Sequence, residues 1–223
     1  MSPRKTRPKT RDALVEAATG LFLRQGYTAT SLDDVCAQSR VSKGALFHYF
    51  DDKEALGRAA LEHWMAMGEQ AFGNGAYLKI EDPVERALGL IDCAIELSRL
   101  GPPGCLVGIF TQELAPTNET LRQSCASSFA RWVDHFEALI RAAKDARAPS
   151  SDLDPRGLAQ HGLTVLQGSI LLARAHGDVA LIEQQLRHFR RYLAMRFEEA
   201  AAHRLRGVRC LRSNGRKFPM RRS

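Results

Sequence analysis

Apolar residues in this chain recur three and four positions apart almost from end to end, and no stretch alternates apolar with polar as a strand would. That spacing restricts the 223 residues to an all-α fold, because a helix with one apolar stripe is stable only when the stripe packs on other helices. Prolines fall near the ends of the periodic segments, where helix starts and loops tolerate them. The first helix is expected from Arg11 to Gln25, with Leu14, Ala17, Ala18, Leu21 and Phe22 on one face and Gly26 placed to end it in a left-handed conformation. Ser31 with Asp34 three residues on forms a variant capping box for a short helix to Ser39. After a turn at Arg40-Val41, Ser42 caps a third helix from Lys43 to His48, and Asp51 or Asp52 opens a fourth.

Beyond Phe72-Gly73-Asn74-Gly75 the helices lengthen, which separates an N-terminal three-helix helix-turn-helix domain from a C-terminal helical domain. The expected helices there are Pro83–Leu100, Leu106–Leu114, Glu119–Ala146, Pro155–His176 and Val179–His203, with the clearest break at Gly101-Pro102-Pro103-Gly104. Phe129, Trp132, Val133, Phe136 and Ile140 make one stripe, and Ile182, Leu186, Phe189, Leu193 and Phe197 another. Such stripes are core, or on the last two helices a surface for a second subunit.

The net charge of +7 is unevenly spread. Residues 1–11 carry +5 and residues 204–223 carry +8, which leaves −6 for the body between them. We expect the segment 204–223 to be a disordered basic tail. Basic arms suit a polyanion, although solvated tails look the same by charge alone. No apolar run approaches the roughly 20 residues of a membrane span, and no signal peptide stands at the N-terminus. The five cysteines are then expected to be thiols in the cytoplasm. They form no C-x-x-C pair and no H-E-x-x-H occurs, so neither a metal nor a cofactor is expected, and no catalytic constellation is present.

Residues 31–50 have helix-turn-helix spacing, in which the second helix enters the major groove of double-stranded DNA. Ser42, Lys43, Gly44 and Ala45 are small or cationic at its start. Small residues let base edges and thymine methyls come close, and Lys43 can reach guanine acceptors or phosphate. His48 and Tyr49 offer donors at its end. Lys53 stands where it can meet phosphate together with the amides that open the fourth helix.

The segments Thr28-Ala29-Thr30-Ser31-Leu32-Asp33-Asp34-Val35, Val41-Ser42-Lys43-Gly44-Ala45-Leu46-Phe47-His48-Tyr49-Phe50 and Asp52-Lys53-Glu54-Ala55-Leu56 resemble the DNA-binding domain of TetR-family transcriptional regulators over residues 8–68. The resemblance implies a homodimer that binds a palindromic operator and a C-terminal domain, residues 76–203, for effector binding and dimerisation. It puts Thr30, Ser42, Lys43, Gly44, Ala45, His48, Tyr49 and Lys53 at DNA-contact positions, and Val35, Val41, Leu46 and Phe50 at packing positions. The chain departs from the family twice. Ser39-Arg40 replaces the usual Ala-Gly before the turn valine, so Arg40 is either strained, at about 1 kcal/mol, or adds a phosphate contact. Phe47 replaces the usual Tyr and lacks its phosphate-contacting hydroxyl.

Gly104-Cys105-Leu106, Gln112-Glu113-Leu114-Ala115 and Phe129-Ala130-Arg131-Trp132 resemble a TetR subgroup that includes the repressor of N-ethylmaleimide reductase. That resemblance makes Cys105 a candidate electrophile sensor. A thiol at a helix N-terminus is activated by the dipole, although a free cysteine is more often a packed apolar residue. The candidate effector lining is Cys105, Phe110, Glu113, Trp132, His161 and Gln167. The reading is a repressor released by a small-molecule or electrophilic effector. In a dimer its two recognition helices lie about 34–36 Å apart. The alternatives are an activator on the same scaffold and a helical-bundle enzyme or carrier with solubilising tails.

Overall fold

A computed structural model describes residues 10–101 and 104–213, with side chains as far as residue 200. The described residues form helices and connecting turns, with no strand. The helices are α1 (Thr10–Gln25), α2 (Leu32–Ser39), α3 (Lys43–Tyr49), α4 (Lys53–Gly73), α5 (Pro83–Ser98), α6 (Leu106–Leu114), α7 (Glu119–Arg147), α8 (Pro155–His176) and α9 (Ala180–Ser213), with a 3-10 turn at Ala76–Lys79.

The boundaries follow from local chemistry. Gly26 takes φ 90° after α1. Ser31 Oγ accepts from the Asp34 amide at 3.1 Å while an Asp34 oxygen accepts from the Ser31 amide at 2.8 Å, which closes the capping box of α2. Asp52 accepts from the Ala55 amide at 2.7 Å and starts α4. Asp82 caps α5, with Pro83 in the first turn. Gly177 closes α8 in the left-handed region. Most boundaries fall within two residues of expectation, and the largest difference is at α9, which runs on to Ser213 rather than stopping at His203, so residues 204–213 are helical. The basic residues before position 10 and after 213 lie outside the described residues.

Two cores organise the packing. One joins Leu14, Ala18 and Phe22 of α1, Val35 of α2, Leu46 of α3 and Leu56 and Ala60 of α4. It also takes in Leu106, Val107, Ile109 and Phe110 of α6 and the start of α7. The other joins α5, the rest of α7, α8 and α9 through Leu90, Phe136, Ile140, Ala159, Ile182 and Leu193. Burying each such Leu, Ile or Phe contributes about 1.5–3 kcal/mol. Gly162 lets α8 sit close, since a Cβ there would lie 2.9 Å from both Phe136 and Phe189. Arg190 ties α9 to α5, its Nε 3.0 Å from both carboxylate oxygens of Asp92. By packing, then, α6 is part of the N-terminal unit although it follows α5 in the chain.

Candidate nucleic-acid interface and effector cavity

The reading head is α2, a tight turn and α3. The turn is made by Arg40 at φ 57°, ψ 36°, whose amide reaches back to the Cys36 carbonyl. It is the one non-glycine residue of positive φ among the described residues. Ser42 then opens α3, with its Oγ accepting from the Ala45 amide at 3.3 Å. Leu46 and Phe50 are buried against the N-terminal core, and Arg11 lies over the Phe50 ring at 5.4 Å. This anchors one side of α3 and leaves the other open.

Ser42, Lys43, Gly44, His48 and Tyr49 are exposed on that open side, and Ala45 is half-buried. Lys43 Nζ lies 2.8 Å from Asp33 of α2, an exposed pair that holds the ammonium at the edge of the recognition helix. The carboxylate keeps that ammonium above its ordinary pKa. The His48 and Tyr49 rings meet edge to face at 5.0 Å.

Two of the expected contacts are engaged within the protein. Thr30 is 1% exposed and its hydroxyl donates to the Gly26 carbonyl at 2.7 Å, so it braces the α1–α2 turn and has no free group to offer a phosphate. Lys53 is half-buried, with its ammonium 3.3 Å from the Thr28 carbonyl and 4.3 Å above the Tyr27 ring. Burial pushes its pKa down, and the Glu113 and Asp34 carboxylates work against that. The amide of Ala55 beside it is already taken by Asp52. Burial, with Glu54 and Asp52 nearby, pushes Tyr27 up to about 12. Arg40, weighed above as a phosphate contact, is exposed beside the same surface, as are Asp33 and Phe47, which were not among the expected contacts.

A cavity of about 350 Å³ separates α6 from α8. Its α6 wall is Cys105, Gly108, Ile109, Gln112 and Glu113, and its α8 wall is Gln167, Ile170, Leu171, Arg174 and Ala175. Cys105, Glu113 and Gln167 are therefore together as expected. Phe110, Trp132 and His161 are not with them. Phe110 is fully buried in the N-terminal core, edge-on to Phe22 at 5.5 Å and Tyr27 at 5.1 Å. Trp132 packs on Phe136 at 5.5 Å, beside a separate void of about 10 Å³. His161 is exposed and stacks edge-on against Phe189 and Tyr192 at 5.2 and 5.5 Å. The lining that was missed had a signal: 105, 108, 109, 112 on α6 and 167, 170, 171, 174 on α8 are each one helical stripe.

Cys105 is the residue before α6, but the site is not one that frees a thiolate. Burial pushes its pKa up, against hydrogen-bonding groups of Gly108, Gln167, Val107 and Trp64. Glu113, at the other end of α6, reaches the α1–α2 turn. Its Oε2 accepts from the Thr28 amide at 2.7 Å.

Comparison with known proteins agrees with this architecture. Residues 14–60 match the profile of bacterial regulatory proteins of the tetR family, and residues 83–189 match the tetracyclin repressor-like C-terminal domain. The chain is 29% identical over 180 residues to the HTH-type transcriptional repressor DhaR of Mycobacterium sp. strain GP1, covering 81% of this chain and 90% of that one. It is 30% identical over 187 residues to the HTH-type transcriptional regulator YxaF of Bacillus subtilis, covering 81% and 95%. The crystal structure of a TetR regulatory protein from Rhodobacter sphaeroides superposes with a TM-score of 0.69 at 26% identity, covering 82% and 96%. The chain belongs to the TetR family of transcriptional regulators, with a helix-turn-helix for DNA and a helical C-terminal domain for a ligand.

Proposed function

We propose that this chain is a homodimeric repressor that holds a palindromic operator and releases it when a small molecule enters the cavity between α6 and α8. The location of that cavity carries the reading. One wall, α6, is built into the core beneath the recognition helix, while the other, α8, belongs to the C-terminal bundle. A volume of about 350 Å³ sits at the low end of ligand pockets, which run about 300–1,000 Å³. A ligand that fits only a widened seam shifts the equilibrium by its differential affinity, with a coupling of about 1–3 kcal/mol.

Dimerisation has support on α8 and α9, where Leu172, Tyr192 and Met195 stand exposed. A solvated apolar face of that kind suits a second copy of the chain. On this reading Ser42, Lys43, Gly44, Ala45, His48 and Tyr49 form the DNA contact in each half-site, in the cytoplasm. The likeness to DhaR, a named repressor, favours repression over activation. Cys105 is half-buried in the cavity wall with its pKa pushed up, which favours a reversibly bound effector over an electrophile. Selection of bound fragments from random DNA tests the core of the proposal. A two-fold symmetric sequence bound by a species of twice the chain mass is the expected result. Enrichment of an unsymmetrical site by a monomer would overturn it.

A further inference from the structure

The open side of α3 carries Lys43, Gly44, Phe47 and His48, residues related by the three- and four-residue steps of one helix face. Phe47 leaves 47% of its surface open, although its chain neighbour Leu46 is fully buried. Its ring has no group to donate to a phosphate oxygen, so what it offers a groove is apolar area. One turn back, nothing lies within 4 Å of where a Cβ on Gly44 would stand, so a base edge can come close to the backbone beside the ring. The Lys43 ammonium is drawn off toward Asp33, at 2.8 Å, and does not cover that ring. In the major groove the apolar group that bases present is the C5 methyl of thymine.

We propose that Phe47 packs on a thymine methyl in each half-site and so determines which base pair is accepted there. The proposal rests on the DNA-binding reading of α3. It makes the base opposite Phe47 a choice of thymine over cytosine by apolar contact, with no hydrogen bond required from this residue.

The test uses the full-length protein and the duplex enriched from random DNA. In successive duplexes each symmetry-related pair of thymines is replaced by deoxyuridine, which keeps base pairing and removes one methyl. Burial of one methyl-sized group is about fourfold in affinity, so replacing the pair at one position in both half-sites should cost about fifteenfold, and replacing it in one half-site alone about fourfold. Phe47→Ala should bind the thymine and deoxyuridine duplexes equally. Phe47→Tyr, which keeps the ring, should retain the preference and guards against a folding defect in the alanine variant. Specific binding that ignores deoxyuridine at every position overturns the proposal, as does a preference that survives undiminished in Phe47→Ala. If no sequence is enriched at all, the DNA-binding reading of α3 itself fails, a result distinct from specific but methyl-blind binding.

Discussion

The Glu113 carboxylate at the end of α6 accepts a hydrogen bond from the Thr28 backbone amide at 2.7 Å, 85 positions earlier in the chain. Glu113 also lines the α6–α8 cavity, and the Thr28 carbonyl in turn holds the ammonium of Lys53. A carboxylate in contact with both the cavity and the α1–α2 turn is a direct physical link between the two ends of the proposed switch.

Glu113→Ala should therefore lower unfolding stability by about 1.5 kcal/mol, the low end for a bond to a charged acceptor whose amide partner can turn to water. Gly26→Ala tests the same contact from the other side. At φ 90° an alanine is strained by about 1–3 kcal/mol, and its Cβ would lie 2.3 Å from Glu113 Oε1. Urea melts should show Gly26→Ala costing less in the Glu113→Ala background than alone. Additive losses would mean that the two sites do not touch.

Arg40 stands in a conformation that glycine adopts freely. Arg40→Gly should raise stability by about 1 kcal/mol through relief of the left-handed strain, less the entropy that glycine loses on folding. If Arg40 also meets phosphate, the same variant binds DNA with a shallower salt dependence. Thermal melts and salt titrations of gel retention read the two effects separately.

Lys43 is shared between Asp33 and any DNA that approaches. Lys43→Ala should weaken operator binding, and a phosphate contact would reduce the salt slope by about one unit per half-site. Asp33→Asn frees the ammonium and removes a like charge from the groove, so it should tighten binding a few-fold, measured by gel retention at fixed salt. Weaker binding by Asp33→Asn would show that the pair orients Lys43 productively.

The Cys105 thiol is raised by burial, so its protonated form dominates through neutral pH and the reactive thiolate forms only as pH climbs past the ordinary cysteine range. Alkylation by iodoacetamide should be slower at pH 7 than for an unstructured cysteine peptide, and should keep rising above pH 9. Because the neutral thiol is what the fold favours, any stability it contributes is present below the unfolded-state pKa and is lost above it. Fast modification at pH 7 would restore the electrophile-sensor reading.

Most of the secondary structure was legible because its punctuation is local. Gly26, Ser31 with Asp34, Ser42, Asp52 and Pro83 each act within a few residues of themselves, so their meaning does not depend on the rest of the fold. Partner choice was not legible. Phe110 is plainly an inward residue, but nothing in its neighbourhood of the sequence says that inward means Phe22 and Tyr27 and not the effector space. Thr30 failed as a DNA contact for a similar reason. A threonine beside a helix cap can turn its hydroxyl outward or back to its own turn, and only the position of Gly26 decides between them.

The seam between the two cores also sets where the protein can be cut. A fragment ending at Gly75 would keep all the helices that face DNA, yet it would strip Leu106, Val107 and Phe110 from their core and leave Phe22 and Tyr27 without the Phe110 ring they pack on. Chimeras that graft this reading head onto another sensor must therefore carry α6 along as a passenger. In that sense the chain is less modular than its order suggests, for the piece that would sense the signal is already part of the floor on which the DNA reader stands.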